Sequence, residues 1–214
     1  VIAFFYILVS YLLGSVPFGY LAGKINGIDL REHGSCNIGA TNAVRVLGKA
    51  WGIPVFFLDF LKGFLPVLCW GKVASMYMPD ASAWCTHALL VAVCFATILG
   101  HTYTCFLGFK GGKGVATSAG VLFALAWQVG LVALGAWVLF FALTRYVSLA
   151  SMVAAVAMVV AGFIYYEPEG ELCGPRLIVL LFFVLVALLV IIKHRANISR
   201  LLDGTEPKAF SKKK

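Results

Sequence analysis

The chain has 214 residues, 62% of them hydrophobic and 12% charged. An ordinary soluble domain is about half apolar and about a quarter charged, so this composition excludes a soluble globule and predicts an integral membrane protein. The net charge of +8 would suggest nucleic acid as a partner of a soluble chain, but lysine and arginine gather on the cytoplasmic side of membrane proteins, and no nucleic-acid partner is expected here.

Runs without Asp, Glu, Lys or Arg cover residues 1–23, 81–109, 115–144, 146–166 and 177–192, each near the length of about 20 residues that a membrane helix needs. The first run lacks the short apolar core and small-residue cleavage site of a signal peptide, and Pro17 and Gly19 precede Lys24, so it is read as a retained span. The run 115–144 is long for one helix and short for two, and charge decides between them. A single span would put Arg145 and the Lys193–Arg200 cluster outside and Glu167, Glu169 and Glu171 inside, reversing the usual bias. Two short helices turning near Gln128–Gly130 restore it. The expected fold is therefore all-α, with seven short spans near residues 1–23, 51–71, 82–103, 114–127, 130–145, 147–166 and 175–193. Its N-terminus is outside, its C-terminus is cytoplasmic, and residues 1–214 form one transmembrane domain without an internal repeat.

The six cysteines have no Cys-x-x-Cys pair and no metal-type spacing, so no metal site is expected. Cys69, Cys85 and Cys173 fall near the outer surface, where a disulfide between two of them would fit.

Three polar segments carry chemistry, and charge parity places all of them on the cytoplasmic face. The first is Gly34-Ser35-Cys36-Asn37-Ile38-Gly39-Ala40-Thr41-Asn42, followed by Arg45. Its small residues let backbone amides approach an anion. Ser35, Asn37, Thr41 and Asn42 add neutral hydrogen-bonding groups, and Arg45 offers a planar fork suited to phosphate. The plainer alternative is a Gly-rich turn with capping residues.

The second segment runs from His101 to Thr117. In it Lys110, Gly111, Gly112, Lys113 and Gly114 lead into the apolar stretch at Val115, joining free N–H groups, the positive end of a helix dipole and two ammonium groups at one point. It lacks Walker A spacing, so nucleotide hydrolysis is not supported. A positive-inside loop with a glycine turn is the alternative. The third segment, from Lys193 to Glu206, leaves the last span, and in a helix His194 and Asn197 would share a face. A snorkelling basic helix end is its alternative reading. A basic, Gly-lined site at headgroup level suits a substrate with a phosphate head and an acyl tail.

The three segments resemble the signature motifs of the bacterial acyl-phosphate-dependent glycerol-3-phosphate acyltransferase family, and Gly14-Ser15-Val16-Pro17-Phe18-Gly19-Tyr20-Leu21 resembles that family's first span. The resemblance implies a seven-span protein of the bacterial inner membrane that works with membrane lipid. It would transfer an acyl group from acyl phosphate to glycerol 3-phosphate, without a cofactor, giving lysophosphatidic acid and inorganic phosphate. Ser35, Arg45, Lys113, His194 and Asn197 match polar positions that surround the phosphates and the attacking hydroxyl in the family. Thr144-Arg145-Tyr146-Val147-Ser148-Leu149 resembles a further family segment and adds Ser148 to His194 and Asn197 as candidate catalytic residues. Asp59 and Lys62 match another family pattern but, three apart inside the second span, are expected to pair with each other or with a neighbouring helix. Cys36 stands where the family usually has Gly, and Tyr103-Thr104 where a Phe-Pro pair is common.

None of His33, His87, His101 or His194 is followed by Asp five positions later, and no Gly-x-Ser-x-Gly elbow occurs. An acyl phosphate is already activated, so electrostatic positioning could supply much of the rate enhancement. His194 or a phosphate oxygen of the substrate would receive the hydroxyl proton. A phosphate or lipid transporter is the second reading, set against the clustering of the polar residues at one face and the absence of duplication. A non-catalytic scaffold is a third, and would leave the clustered Gly, Arg, Lys and Asn residues unexplained.

Overall fold

The computed structural model describes residues 1–166 and 174–209, and among these every regular element is a helix. Glu167, Glu169, Glu171, Cys173 and the three terminal lysines lie outside the described residues. The chain divides into two compact units, Val1–Leu125 and Ala126–Lys214.

The first unit contains α1 (Ile2–Ser15), α2 (Phe18–Ile25), α3 (Ala40–Leu47), α4 (Lys49–Tyr77), α5 (Ala83–Thr102) and α6 (Val115–Leu125). Proline disfavours helical geometry in the residue before it. Val16 accordingly swings to ψ 115° ahead of Pro17, ending α1, and the chain re-enters a helix at Phe18. α5 packs against α1, and α4 against α3, α5 and α6. Within a bilayer such packing depends on close van der Waals approach at small residues rather than on hydrophobic burial. A Cβ on Gly14 would overlap the Thr97 carbonyl and one on Gly100 the Tyr11 carbonyl, so α1 and α5 meet backbone to backbone. Gly63 and Gly120 do the same for α4 and α6, facing the carbonyls of Thr117 and Phe60.

The second unit contains α7 (Trp127–Thr144), α8 (Val147–Tyr165), α9 (Pro175–Lys193) and α10 (Arg195–Leu202). α8 packs against both α7 and α9, with the Trp137 indole donating to Ser151 Oγ at 3.2 Å across the first of these contacts.

Among the described residues, six helical segments are long and apolar enough to cross a membrane: Ile2–Ile25, Lys49–Tyr77, Ala83–Leu107, Trp127–Thr144, Val147–Tyr165 and Arg176–Lys193. The seventh expected span is Val115–Leu125, apolar but only 11 residues long. At 1.5 Å per residue it reaches about 17 Å, well short of a hydrocarbon core of about 30 Å. The run 115–144 is indeed two helices. The break falls at Ala126 (φ −154°, ψ 74°), however, and not at Gln128–Gly130, which continue α7. An extended φ is open to any residue, so a break at alanine left no mark in the sequence. Cys69 and Cys85 are not joined to each other, and the two pairings with Cys173 fall outside the described residues.

Candidate active site

The first segment is a loop folded around the side chain of Asn42. Asn42 is 1% exposed; its Oδ1 accepts the Ser35 N–H at 2.8 Å, and its Nδ2 donates to the carbonyls of Leu30 (3.1 Å), His33 (2.9 Å) and Asn37 (2.8 Å). Both N–H groups are engaged, shared among three carbonyls, and the oxygen accepts a backbone amide, so Asn42 shapes the loop from beneath. A Cβ on Gly34 would overlap its Oδ1. Asn37 Oδ1 accepts the Gly39 N–H at 2.8 Å, an Asx turn that launches α3. Ser35 and Arg45 are half-buried, and Thr41 is exposed. Thr41 and Arg45, four apart on α3, share a face. Cys36 adopts φ 55°, in the left-handed region, where glycine is the unstrained residue. Upstream, Arg31 pairs with Asp29 at 2.6 Å, and its hydrogen bonds hold the Asp29 carboxyl down at about 2.

The second segment turns back along the end of α5. The Thr104 hydroxyl donates to the Ser15 carbonyl at 2.6 Å and anchors the turn to the first span. The Gly111 N–H then donates to the Thr102 carbonyl (3.2 Å) and the Gly112 N–H to the His101 carbonyl (3.0 Å). This strand must be glycine, because a Cβ would overlap the His101 carbonyl at Gly111 and the His101 ring at Gly112. Gly114 (φ 80°) makes the turn into α6, and its carbonyl accepts the Ser118 N–H at 2.7 Å. Lys110 is exposed and Lys113 half-buried, one on each side of the Gly-Gly strand. The first amides of α6 thus follow Lys113 directly, the arrangement that favours an anion.

In the second unit three side chains converge on one carboxylate. Ser148 Oγ donates to Glu206 Oε1 at 2.6 Å, Asn197 Nδ2 to the same oxygen at 2.7 Å, and Arg200 Nε to Oε2 at 2.8 Å. Burial pushes the Glu206 carboxyl up, but the hydrogen bonds from Ser148, Asn197 and Arg200 outweigh it and hold the group below the ordinary glutamate range. The chain reaches this position through Gly204 (φ 68°), which reverses direction after α10 so that the N–H groups of Thr205 and Glu206 both donate to the Arg200 carbonyl. His194 lies at the junction of α9 and α10, 3% exposed, with Nδ1 2.8 Å from the Val190 carbonyl. Because a carbonyl only accepts, Nδ1 carries a proton, and in the neutral ring the lone pair is on Nε2. The Asn197 N–H donates to the His194 carbonyl at 2.8 Å, so the two residues stand one turn apart as their spacing predicted.

The structure thus ties the loop of Ser35 and Asn37 to Asn42 of α3, and Ser148 to Asn197 through Glu206. Sequence reasoning did not select Glu206. The available signal was an acid in a basic tail, two residues past Gly204 of the Asp203-Gly204 turn.

Residues 4–204 match the family described as glycerol-3-phosphate acyltransferase. A glycerol-3-phosphate acyltransferase of Aquifex aeolicus is 43% identical over 204 residues, covering 95% of this chain and 97% of that protein. One of Trichlorobacter lovleyi is 46% identical over 204 residues, with 95% and 96% covered. The fold is similar to the crystal structure of PlsY (YgiH), an integral membrane glycerol 3-phosphate acyltransferase, in its glycerol 3-phosphate form. The TM-score is 0.84 at 42% identity, over 97% of this chain and 96% of that one. For the lysophosphatidic acid form of PlsY the TM-score is 0.81 at 41% identity, over 97% and 95% of the two chains.

Proposed function

We propose a reaction for this chain, which belongs to the glycerol-3-phosphate acyltransferase family: transfer of the acyl group of acyl phosphate to the C1 hydroxyl of glycerol 3-phosphate. The hydroxyl oxygen attacks the acyl carbonyl carbon, the bond from that carbon to the phosphate oxygen breaks, and the hydroxyl proton passes to His194 or to a phosphate oxygen. The products are lysophosphatidic acid and inorganic phosphate, so the reaction opens phospholipid synthesis. The observation that carries the reading is the Gly111–Gly112 strand held against α5, which presents Lys113 and the amides of α6 together. Lys110, Lys113, Gly114 and the first amides of α6, with Arg45, Ser35, Asn37 and Thr41, are assigned to substrate phosphate, whereas the Gly111 and Gly112 N–H groups, expected from sequence to face the anion, are taken by the Thr102 and His101 carbonyls and set that backbone instead. Asn42 shapes that loop. In the second unit Ser148 and Asn197, tied to Glu206, are assigned to positioning around His194.

The charge bias of lysine and arginine supports seven crossings, with α6 as the short one, an external N-terminus and a cytoplasmic C-terminus. It also supports an active site on the cytoplasmic face of a bacterial inner membrane. Purified protein given acyl phosphate and glycerol 3-phosphate should form lysophosphatidic acid and release phosphate, with a chelator present and without nucleotide. Equal turnover with acyl-CoA as donor, or loss of activity on chelation, would overturn the proposed donor chemistry.

A further inference from the structure

Three ionisable side chains of the first unit are buried and have no role in the reaction as described: Asp59 at 2% exposure, Lys62 at 7% and His101 at 5%. Lys62 Nζ lies 2.7 Å from Asp59 Oδ1 and donates to the Val16 carbonyl at 2.7 Å, so the ammonium caps the break that Pro17 makes in the first span. Beside that break, Gly19 faces Ile38 so closely that a Cβ would overlap the Ile38 carbonyl, and Ile38 belongs to the loop of Ser35 and Asn37. On its other side the same Asp59 oxygen is 3.5 Å from His101 Nδ1. The far edge of that imidazole meets Gly112: the three nearest atoms to a Cβ there would be Nε2, Cε1 and Cδ2 of His101. One ring thus has a buried carboxylate oxygen 3.5 Å from one nitrogen and borders, at the other, the residue before Lys113.

We propose that Asp59 and His101 are positioning residues for acyl transfer: Asp59 orients the imidazole, whose far edge sets the Gly111–Gly112 backbone and hence the place where Lys113 and the first α6 amides meet substrate phosphate. The inference rests on the reading that residues 110–114 hold a substrate phosphate. It explains why a chain whose other span charges lie toward the helix ends keeps a carboxylate, an ammonium and an imidazole buried together, since buried charge in a membrane protein is costly and is found where it has work to do. A plain buried ion pair would stabilise α4 against its neighbours but would leave substrate affinity alone.

The steric contact supplies the test. Full-length protein is prepared as Gly112→Ala, His101→Ala, the double variant and Lys113→Ala. For each, KM for both substrates, kcat, the thermal unfolding midpoint and binding of inorganic phosphate are measured. Gly112→Ala should raise KM for the substrate that Lys113→Ala affects by about tenfold or more, while kcat changes far less. His101→Ala should raise the same KM. In the double variant the alanine methyl occupies space the ring has left, so KM should fall below that of Gly112→Ala alone, a non-additive result. Additive effects, a wild-type KM in His101→Ala, or unfolding of both His101→Ala and His101→Asn would overturn the proposal. If Lys113→Ala alters neither KM nor phosphate binding, the phosphate reading itself fails. If it alters them and the Gly112–His101 pair is additive, only the positioning role fails.

Discussion

The Ser148 hydroxyl donates to Glu206 Oε1 at 2.6 Å and so ties the first turn of α8 to the chain beyond α10, 58 positions away. Asn197 shares that oxygen and Arg200 holds the other, which makes Glu206 the hub of the second unit's polar cluster. Glu206→Gln keeps an acceptor for Ser148 but faces Arg200 with a neutral amide. It should cost about 1–3 kcal/mol and lower the unfolding midpoint, with Glu206→Ala worse. The carboxyl is held below its ordinary range in the folded chain, so its stabilising effect is complete above the unfolded pKa and is lost as pH falls through the folded one. Stability of the native protein should therefore decline across that acid window. Glu206→Gln should show a flatter profile there, and parallel profiles would exclude this role.

Cys36, at φ 55° and exposed, occupies a backbone state that costs an ordinary L-residue about 1–2 kcal/mol. The position that this chain fills with cysteine is thus one where glycine is the relaxed choice. Cys36→Gly should keep activity and raise stability by up to about 1 kcal/mol, once the greater freedom of glycine in the unfolded chain is allowed for. Cys36→Val, β-branched at positive φ, should do the reverse. Thermal unfolding and turnover of the two variants decide the matter, and a Cys36→Gly protein less stable than the native one would contradict it.

The spans and the three polar segments were legible because composition, charge-free length and the placement of Gly with Lys are local properties of the chain. Asp59 and Lys62 paired as their spacing suggested, at 2.7 Å. The break at Ala126 was not legible, since an extended φ needs no special residue. Nor was the work of Asn42: whether an amide faces a ligand or closes its own loop depends on where the carbonyls of Leu30, His33 and Asn37 arrive in space. Glu206 was hidden for a related reason, because its partners come from α8 and α10 and share no period with it.

Topology can be checked with single cysteines in a cysteine-free background. Lys49, at the start of α4, and Lys208, beyond α10, are both exposed, as is Asp80 past the far end of α4. A membrane-impermeant thiol reagent should reach positions 49 and 208 only from the cytoplasmic side and position 80 only from outside. Labelling of 49 and 208 from opposite faces would remove one crossing and with it the seven-span proposal.

The last prediction separates charge from base. Arg45 shares a face of α3 with Thr41, and Lys113 stands at the start of α6; both are assigned to phosphate. Losing one charge-assisted contact in a shielded site should cost about 2–4 kcal/mol of transition-state stabilisation, so Arg45→Ala and Lys113→Ala should be nearly silent at ordinary substrate concentrations. Arg45→Lys should also be poor, because an ammonium does not reproduce the two-pronged guanidinium contact. His194 should behave differently. Its Nδ1 is anchored on the Val190 carbonyl, and its backbone carbonyl starts α10 by accepting from Asn197, so the residue is built into the junction it occupies. If it mainly orients the acceptor hydroxyl while a substrate phosphate oxygen takes the proton, His194→Gln should retain measurable turnover and show the same pH–rate limbs as the native enzyme. A folded His194→Gln protein that is inactive and recovers with added imidazole would instead make His194 the base, and full activity in Arg45→Ala would remove the guanidinium from the phosphate site.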